Sequence, residues 1–145
     1  MATVKEAKIY LQQVYKAAEI LKQCDADLIE LKATSQGLVT SYSIGGHSSQ
    51  ASDMSGFISK LMEEEYRIEK YKVQWLEKRI EVKRFIQGLQ LMPEQEHLRT
   101  LLIYRYVSLK DWAEIACLMN YSYRHIIKCL HPAALKAAAK ELIIY

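Results

Sequence analysis

Three residues in the last third of the chain stand at the spacing of a helix-turn-helix unit, a pair of short helices of which the second can enter the major groove of DNA. Ala116 is followed four residues later by Asn120 and ten residues later by Ile126. A small residue is needed where two helices cross closely, and Asn tolerates the positive φ of a tight turn. An aliphatic residue on the second helix then packs the pair together. The spacing predicts a first helix at 109–119 and a second helix that opens at Ser122.

Polar residues at the start of the second helix are the candidates for contact with DNA, because the N-terminal residues of such a helix face base edges. Arg124 carries a guanidinium that can donate two hydrogen bonds to one guanine. Ser122 can cap the helix and reach a phosphate. Lys128 and Lys110 suit backbone phosphates, which position a protein without reading sequence. The predicted set is Ser122, Tyr123, Arg124, His125, Lys128 and Lys110. For each of these residues the alternative is a polar face that meets only solvent.

Neighbouring residues define the elements that must hold this pair. The positions expected to be buried are Ile115, Met119, Tyr121, Ile126 and Cys129. Ser108 is predicted to cap the first helix, since its hydroxyl can accept a backbone N–H. Pro132 is predicted to end or kink the second helix near 130–131, because proline lacks an N–H and its ring crowds the preceding turn. A helix at 94–106 is predicted before the pair, and the tail at 133–145 has helical propensity.

Charge is spread too evenly for a polycationic arm. The chain has 20 basic and 17 acidic side chains and a net charge of +3. Contact with DNA would therefore depend on a few local basic residues.

The cysteines are predicted to be small core residues. Cys24, Cys117 and Cys129 are widely separated and form no C-x-x-C pair, which argues against a disulfide framework and against a zinc knuckle. A metal site between Cys129, His125 and His131 is the less favoured alternative.

The sequence contains none of the common catalytic motifs. A Gly-rich phosphate loop, H-E-x-x-H and G-x-S-x-G are all absent, and the acidic run at 63–65 fits a solvated helix face. We therefore predict no enzyme, no cofactor and no metal. No apolar run approaches the roughly 20 residues that span a bilayer, and no signal-peptide core is found. A soluble cytoplasmic protein without membrane contact is predicted.

The composition and the apolar spacing of the remaining chain predict an all-α fold. Only 5 Gly and 2 Pro occur, and good helix formers dominate. Two stripes with alternating spacings of four and three are typical of coiled-coil seams. They are Ala7, Leu11, Val14, Ala18, Leu21, Asp25, Leu28, and Phe57, Leu61, Glu64, Ile68, Tyr71, Trp75, Lys78, Val82, Phe85, Leu89.

These stripes predict two domains. Residues 1–92 are predicted to form a long antiparallel helical hairpin with a flexible Ser/Gly-rich loop at about 34–55, and 93–145 a compact helix-turn-helix domain. A lone hairpin leaves apolar surface exposed, so a homo-oligomer, with a dimer favoured, is expected through the N-terminal helices. The alternative is that the hairpin packs only on the C-terminal domain.

The C-terminal third resembles region four of bacterial sigma factors, and more narrowly the ArpU/RinA-like late-gene regulators of phages and prophages, together with a related family of phage proteins. The residues that carry the resemblance are LLIYRYV at 101–107, WAEIA at 112–116 and NYS at 120–122. The related family also has a long helical N-terminal part and a Ser/Gly-rich middle, here SSQASD at 48–53. The resemblance implies a regulator of transcription in a bacterial host cell that binds double-stranded DNA, with host RNA polymerase as a further partner.

Two other functions remain open from the sequence. Small subunits of phage terminases also join a helix-turn-helix to coiled-coil helices, so a DNA-packaging protein is one alternative. An interaction module that keeps the fold but binds only protein, such as RNA polymerase, is the other.

Overall fold

Helices make up the regular structure of the described part of the chain. The computed structural model describes residues 2–45 and 48–143, and within these ranges it contains helices and no strand. The predicted all-α class is confirmed. The helices are α1 (Val4–Leu11), α2 (Gln13–Gly45), α3 (Ser48–Gln87), α4 (Glu96–Leu102), α5 (Trp112–Met119), α6 (Tyr123–His125) and α7 (His131–Glu141). A 3-10 turn at Pro93–Gln95 leads into α4, and π-helical segments at Ile103–Val107 and Ile126–Leu130 continue α4 and α6.

The chain divides into two compact units. One comprises Met1–Lys16 and Leu76–Tyr145, and the other comprises Ala17–Trp75. This division differs from the predicted boundary at 92–93. α1 packs against α7, so the first residues of the chain belong to the same unit as the last. The end of α3 belongs to this unit as well, because Arg99 of α4 bonds the carbonyl oxygens of residues 86, 87 and 89.

In the unit Ala17–Trp75, the predicted apolar stripes coincide with less exposed positions. Ile68 is buried, and Leu21 and Leu28 are half-buried. An ion pair of 3.3 Å between Lys32 Nζ and Glu65 Oε1 joins α2 to α3. Several large apolar side chains of α3 remain exposed, namely Ile58, Met62, Tyr66 and Val73.

The interval 34–55 differs from the predicted Ser/Gly-rich loop. α2 continues to Gly45 and α3 begins at Ser48, while 46–47 lie outside the described residues. Serine costs a helix less than about 1 kcal/mol per residue relative to alanine, and a helix that has already nucleated extends readily. A polar composition therefore did not prevent helix formation, and the prediction of a loop throughout this interval is wrong.

The core of the other unit lies where α7 meets α1 and α4. Ala134 and Ala138 are fully buried, and their small side chains let α7 approach its neighbours closely. Leu11 of α1 and Leu101 of α4 are also fully buried. At roughly 25 cal/mol per Å² of apolar surface, each buried leucine contributes about 2 kcal/mol. The helical propensity predicted for the tail is confirmed as far as Glu141.

Arg99 fastens the C-terminal end of α3 to α4. Its Nη1 donates to the carbonyl oxygens of Ile86 (2.6 Å) and Gln87 (2.7 Å), and its Nη2 donates to that of Leu89 (2.7 Å). The last carbonyl groups of a helix have no hydrogen-bond donors within the helix, and here Arg99 supplies the donors. Glu96 holds the guanidinium through an Nε–Oε2 hydrogen bond of 3.0 Å, and this hydrogen bond lowers the pKa of the Glu96 carboxyl.

A polar pair lies inside the same core. The Oη of Tyr106 is 2.6 Å from Nε2 of His131, and both side chains are buried. The centroid of the Trp112 ring lies 4.5 Å from that of the His131 ring. The Arg105 guanidinium lies over the Trp112 ring, 4.5 Å from its centroid. Burial, followed by the positive charges of Lys8 and Arg105, lowers the pKa of His131 from 6.5 to about 4. Burial raises the pKa of Tyr106 from 10.0 to about 12. Near neutral pH, a neutral phenol and a neutral imidazole therefore share this hydrogen bond.

The low pKa of His131 predicts an acid-sensitive fold. Its pKa in the folded chain, about 4, lies below the ordinary histidine value of 6.5, so the unfolded chain binds a proton first as pH falls. The stability that depends on neutral His131 is complete above about pH 6.5 and is lost toward pH 4, by up to about 3 kcal/mol. Urea unfolding at pH 7.5, 6.5, 5.5 and 4.5 measures this loss. His131→Gln is the reference for carboxylates that titrate in the same range, and an identical pH dependence in both proteins would contradict the assignment.

Arg99→Ala is expected to lower the free energy of unfolding by roughly 2–3 kcal/mol, because it leaves the carbonyls at the end of α3 without their charged donor. The matched control is Arg67→Ala, which removes an exposed ion pair of 3.0 Å with Glu64 and should cost less than about 1 kcal/mol. Chemical denaturation of both variants measures the difference. Equal losses would show that the contacts of Arg99 contribute no more than a surface ion pair.

Candidate nucleic-acid interface

The turn after α5 has the backbone conformation that the sequence predicted. Asn120 has φ 59° and ψ 38°, which is the left-handed region. The next residue, Tyr121, donates its N–H to the carbonyl oxygen of Ala116 at 3.1 Å, and this hydrogen bond closes the end of α5. Asn enters the left-handed region more readily than other residues with a Cβ because its short polar side chain can bond locally. The prediction of positive φ at Asn120 is confirmed.

The start of α6 also follows the prediction. Ser122 is extended, with φ −69° and ψ 149°, and its Oγ accepts the N–H of His125 at 3.1 Å. This hydrogen bond satisfies one of the donors that a helix leaves unpaired at its start. Ile115 and Ile126 are fully buried, and Ala116 is 8% exposed. The predicted buried positions are confirmed for these three residues.

The first helix of the pair begins later than predicted. Asp111 caps α5, since its Oδ1 accepts the N–H of Glu114 at 2.8 Å. Ser108 does not cap it, because it lies three residues before this cap and ends the preceding π-helical segment, where its N–H donates to the carbonyl oxygen of Ile103. Leu109 then takes φ 56°, a left-handed conformation that costs a leucine about 1–2 kcal/mol. The helix therefore begins at 112 and not at 109.

Two of the positions predicted to be buried are exposed. The Tyr121 ring is exposed at the surface. Its centroid lies 6.3 Å from that of the His97 ring and 5.2 Å from that of the His125 ring. Cys129 lies in the π-helical segment, and the buried residues of this segment are Ile126 and Leu130. The wider π turn leaves the cysteine on the outside.

The wider prediction that the cysteines are core residues is also wrong. Cys117 is exposed like Cys129, and Cys24 is half-buried, and all three are free thiols. The buried positions of α5 are Ile115 and Ala116, and those of the π-helical segment are Ile126 and Leu130. Within the described ranges, no group of three or more His, Cys, Asp and Glu side chains could hold a metal ion.

The structure brings five of the six predicted contact residues together on one short stretch. These are Ser122, Tyr123, Arg124, His125 and Lys128, and all of them are exposed. Arg124 and Lys128 are one turn apart, and neither forms a hydrogen bond or an ion pair with another described residue. The His125 ring, in contrast, already contacts Tyr121.

Lys110 stands apart from this stretch. It lies before α5, is half-buried, and its Nζ is 3.3 Å from Oε1 of Glu114. The same Nζ lies 6.0 Å from the centroid of the Tyr104 ring. Binding a phosphate would require Lys110 to leave Glu114, so it is the weakest member of the predicted set.

The helical path continues beyond α6 and through Pro132. The N–H of His131 donates to the carbonyl oxygen of Ile126, five residues earlier, and α7 follows without a break. Proline cannot supply the hydrogen bond of a regular helix and crowds the preceding turn, whereas a π turn accommodates such an irregularity. Pro132 therefore does not end the helix, and the π turn is the irregularity found beside it.

In the part of the chain that the structure describes, no helix combines the length and the apolar character needed to cross a bilayer.

The left-handed turn predicts a distinct response at Asn120. Asn120→Val should lower the free energy of unfolding by about 1–2 kcal/mol, because a β-branched residue is strained at positive φ. Asn120→Gly should change stability by less than about 1 kcal/mol, because glycine adopts this conformation without strain but has more freedom to lose. Denaturant unfolding measures both. If the two variants were equally destabilised, the side chain of Asn120 and not its backbone conformation would be the important feature.

Comparison with known proteins adds no relative on which a function could be based. No protein-family model, no curated protein and no solved structure matches this chain. The case for a function depends on the residues and on their geometry.

Proposed function

We propose that residues 112–141 form a helix-turn-helix unit that binds double-stranded DNA, with the helix that follows Ser122 in the major groove. The observation that carries the proposal is the turn at Asn120. A left-handed residue there is followed at once by a capped helix. The first turn of that helix is polar and exposed, while Ile115 and Ile126 behind it are fully buried.

Each exposed residue of the stretch then has a distinct role. Arg124 reads a guanine, because it is exposed, without a partner among the described residues, and close to the start of the helix. Lys128 binds a backbone phosphate one turn further along. The Ser122 hydroxyl uses its oxygen for the cap and keeps its proton for a phosphate. Tyr123 and His125 lie beside Arg124 and contact a base, a methyl group or a phosphate.

In line with its resemblance to phage late-gene regulators, we propose that the protein regulates transcription in a bacterial cell, with RNA polymerase as a further partner. We also propose that α2 and α3 form an antiparallel hairpin over 17–75 that joins two copies of the chain. The ion pair between Lys32 and Glu65 supports the hairpin. Exposed apolar side chains such as Met62 and Tyr66 support the association. A dimer would present two reading helices to two half-sites of an operator.

Duplex binding across a salt series tests the proposal. The affinity for random duplex DNA should fall steeply between 0.05 and about 0.3 M salt, because each neutralised phosphate releases a counterion. A preferred site can be selected from a random pool. Arg124→Ala should weaken binding to that site by about 1–3 kcal/mol and affect random DNA less. Arg67→Ala is the matched control, since it removes the same charge from α3.

The outcomes separate the proposal from its alternatives. A protein that binds no duplex at low salt would be a protein-only interaction module, and the proposal would fail. An unchanged affinity of Arg124→Ala for the selected site would show that another residue reads the DNA. The mass of the assembly in solution distinguishes regulation from packaging, because a ring of many subunits would favour a terminase-like protein over a dimeric regulator.

A further inference from the structure

Two lysines outside the predicted DNA-contact set lie on α7, which follows the residues of that set. Lys136 and Lys140 are exposed and stand one turn apart. Like Arg124 and Lys128, they form no ion pair with another described residue. The helical path that carries all four runs from Tyr123 through the π-helical segment to Glu141.

The π turn at Ile126–Leu130 determines which face of α7 these lysines occupy. A regular helix advances about 100° per residue, so after 12 and 16 residues Lys136 and Lys140 would stand about 120° and 160° around the axis from Arg124. A π turn contains one extra residue, which rotates all later positions back by about 100°. Lys136 and Lys140 then lie within about 60° of Arg124, on the face that also carries Lys128. The four positive charges form one row.

The same rotation keeps the opposite face of the helix in the core. The residues that follow the π turn and are buried are His131, Ala134, Leu135, Ala138, Ala139 and Leu142. Because the π turn contains one extra residue, these buried positions lie on the same side of the helix axis as Ile126. Burial therefore holds the basic row toward solvent along the whole path.

Lys136 and Lys140 also line a groove of about 410 Å³ between α7 and the segment that follows α3. Its other polar walls are Gln90, Gln95 and Glu141. The Glu141 carboxylate is committed, because its two oxygens accept the backbone N–H of Gln90 at 3.0 and 2.9 Å. Gln95 uses its Oε1 to accept the N–H of Met92, which leaves its amide protons available. The groove thus offers two ammonium groups and amide donors against one carboxylate, a net charge of +1 that favours an anion.

We propose that this groove binds the sugar–phosphate backbone of the DNA whose bases are read by the first turn of the helix. The proposal rests on the proposed function, and it assigns Lys136 and Lys140 as residues that position the protein on DNA. Distance supports the assignment. With the extra residue of the π turn left out, a rise of 1.5 Å per residue places Lys136 about 17 Å and Lys140 about 23 Å from Arg124 along the axis. Both distances exceed the width of about 12 Å and the depth of about 8.5 Å of a major groove. When the first turn of the helix contacts base edges, these lysines therefore lie outside the groove, where only backbone phosphates are within reach.

The double variant Lys136→Gln/Lys140→Gln tests this contact. It should bind the selected site and random duplex more weakly by a similar factor, roughly 10- to 30-fold near 0.15 M salt. The slope of log affinity against log salt should become less steep by about 2, one unit for each phosphate contact. Lys16→Gln/Lys22→Gln is the matched control, because it removes two exposed lysines from α2. Thermal unfolding shows whether each variant is folded.

A footprint gives a second, independent readout. Phosphate-ethylation interference on the selected site should show a cluster of contacts at one flank that disappears in the double variant while the central contacts remain. Ala133→Glu is a further variant, since Ala133 is exposed and lines the groove. Its carboxylate should repel the backbone and weaken binding in the same sequence-independent way.

The possible failures can be told apart. If the double variant keeps the affinity, salt slope and footprint of the unmodified protein while Arg124→Ala loses specificity, the groove does not bind DNA and the proposed function stands. A double variant that loses affinity only for the selected site would make these lysines readers of bases and overturn the positioning role. If the unmodified protein binds no duplex, both proposals fail together.

Discussion

The hydrogen bond between Tyr106 and His131 joins the regions of the two π-helical segments found in the described part of the chain. Tyr106 lies in the π-helical segment after α4, and His131 follows the π-helical segment after α6. The π turn at Ile126–Leu130 adds one residue and rotates α7, which follows it, whereas the π turn at Ile103–Val107 ends at Ser108. The rotation of α7 lets its apolar side chains be buried on the side where Ile126 is buried. Both partners are buried, so a polar group of this pair without a hydrogen bond would cost about 1–3 kcal/mol. This cost closely constrains the geometry of the pair.

Packing behind the helices determines what they present in front. α7 is held by buried alanines against α1 and α4, and Arg99 and Glu141 attach the segment after α3 to the same unit. These contacts leave the polar face of the path after Ser122 in solvent. Phosphate contacts, unlike readout of bases, need only positive charge at the right distance, so a chain with a modest net charge can bind DNA when its few free basic residues are aligned on one face.

Local features of the candidate site could be predicted because they depend on single residues and their near neighbours. Asn120 and Ser122 are examples, since a left-handed turn and a helix cap each involve only a few consecutive residues. The cap at Asp111 was missed because it depends on where the preceding π-helical segment ends and on the strained conformation of Leu109. The three carbonyl contacts of Arg99 were missed for a similar reason, since its partners lie 10 to 13 residues away.

Composition and apolar spacing by themselves determined the helical class and the burial of Ile115 and Ile126, and they identified most of the residues that we propose for contact with DNA. These properties follow from propensity and period, which a linear pattern contains. Only the tertiary structure decided the extra residue in each π turn, the exposure of Cys129, and the alignment of Lys136 and Lys140 with Arg124. The helix around Pro132 must bury apolar side chains both before and after the proline. How far the later part is rotated relative to the earlier part depends on the helices that pack against both.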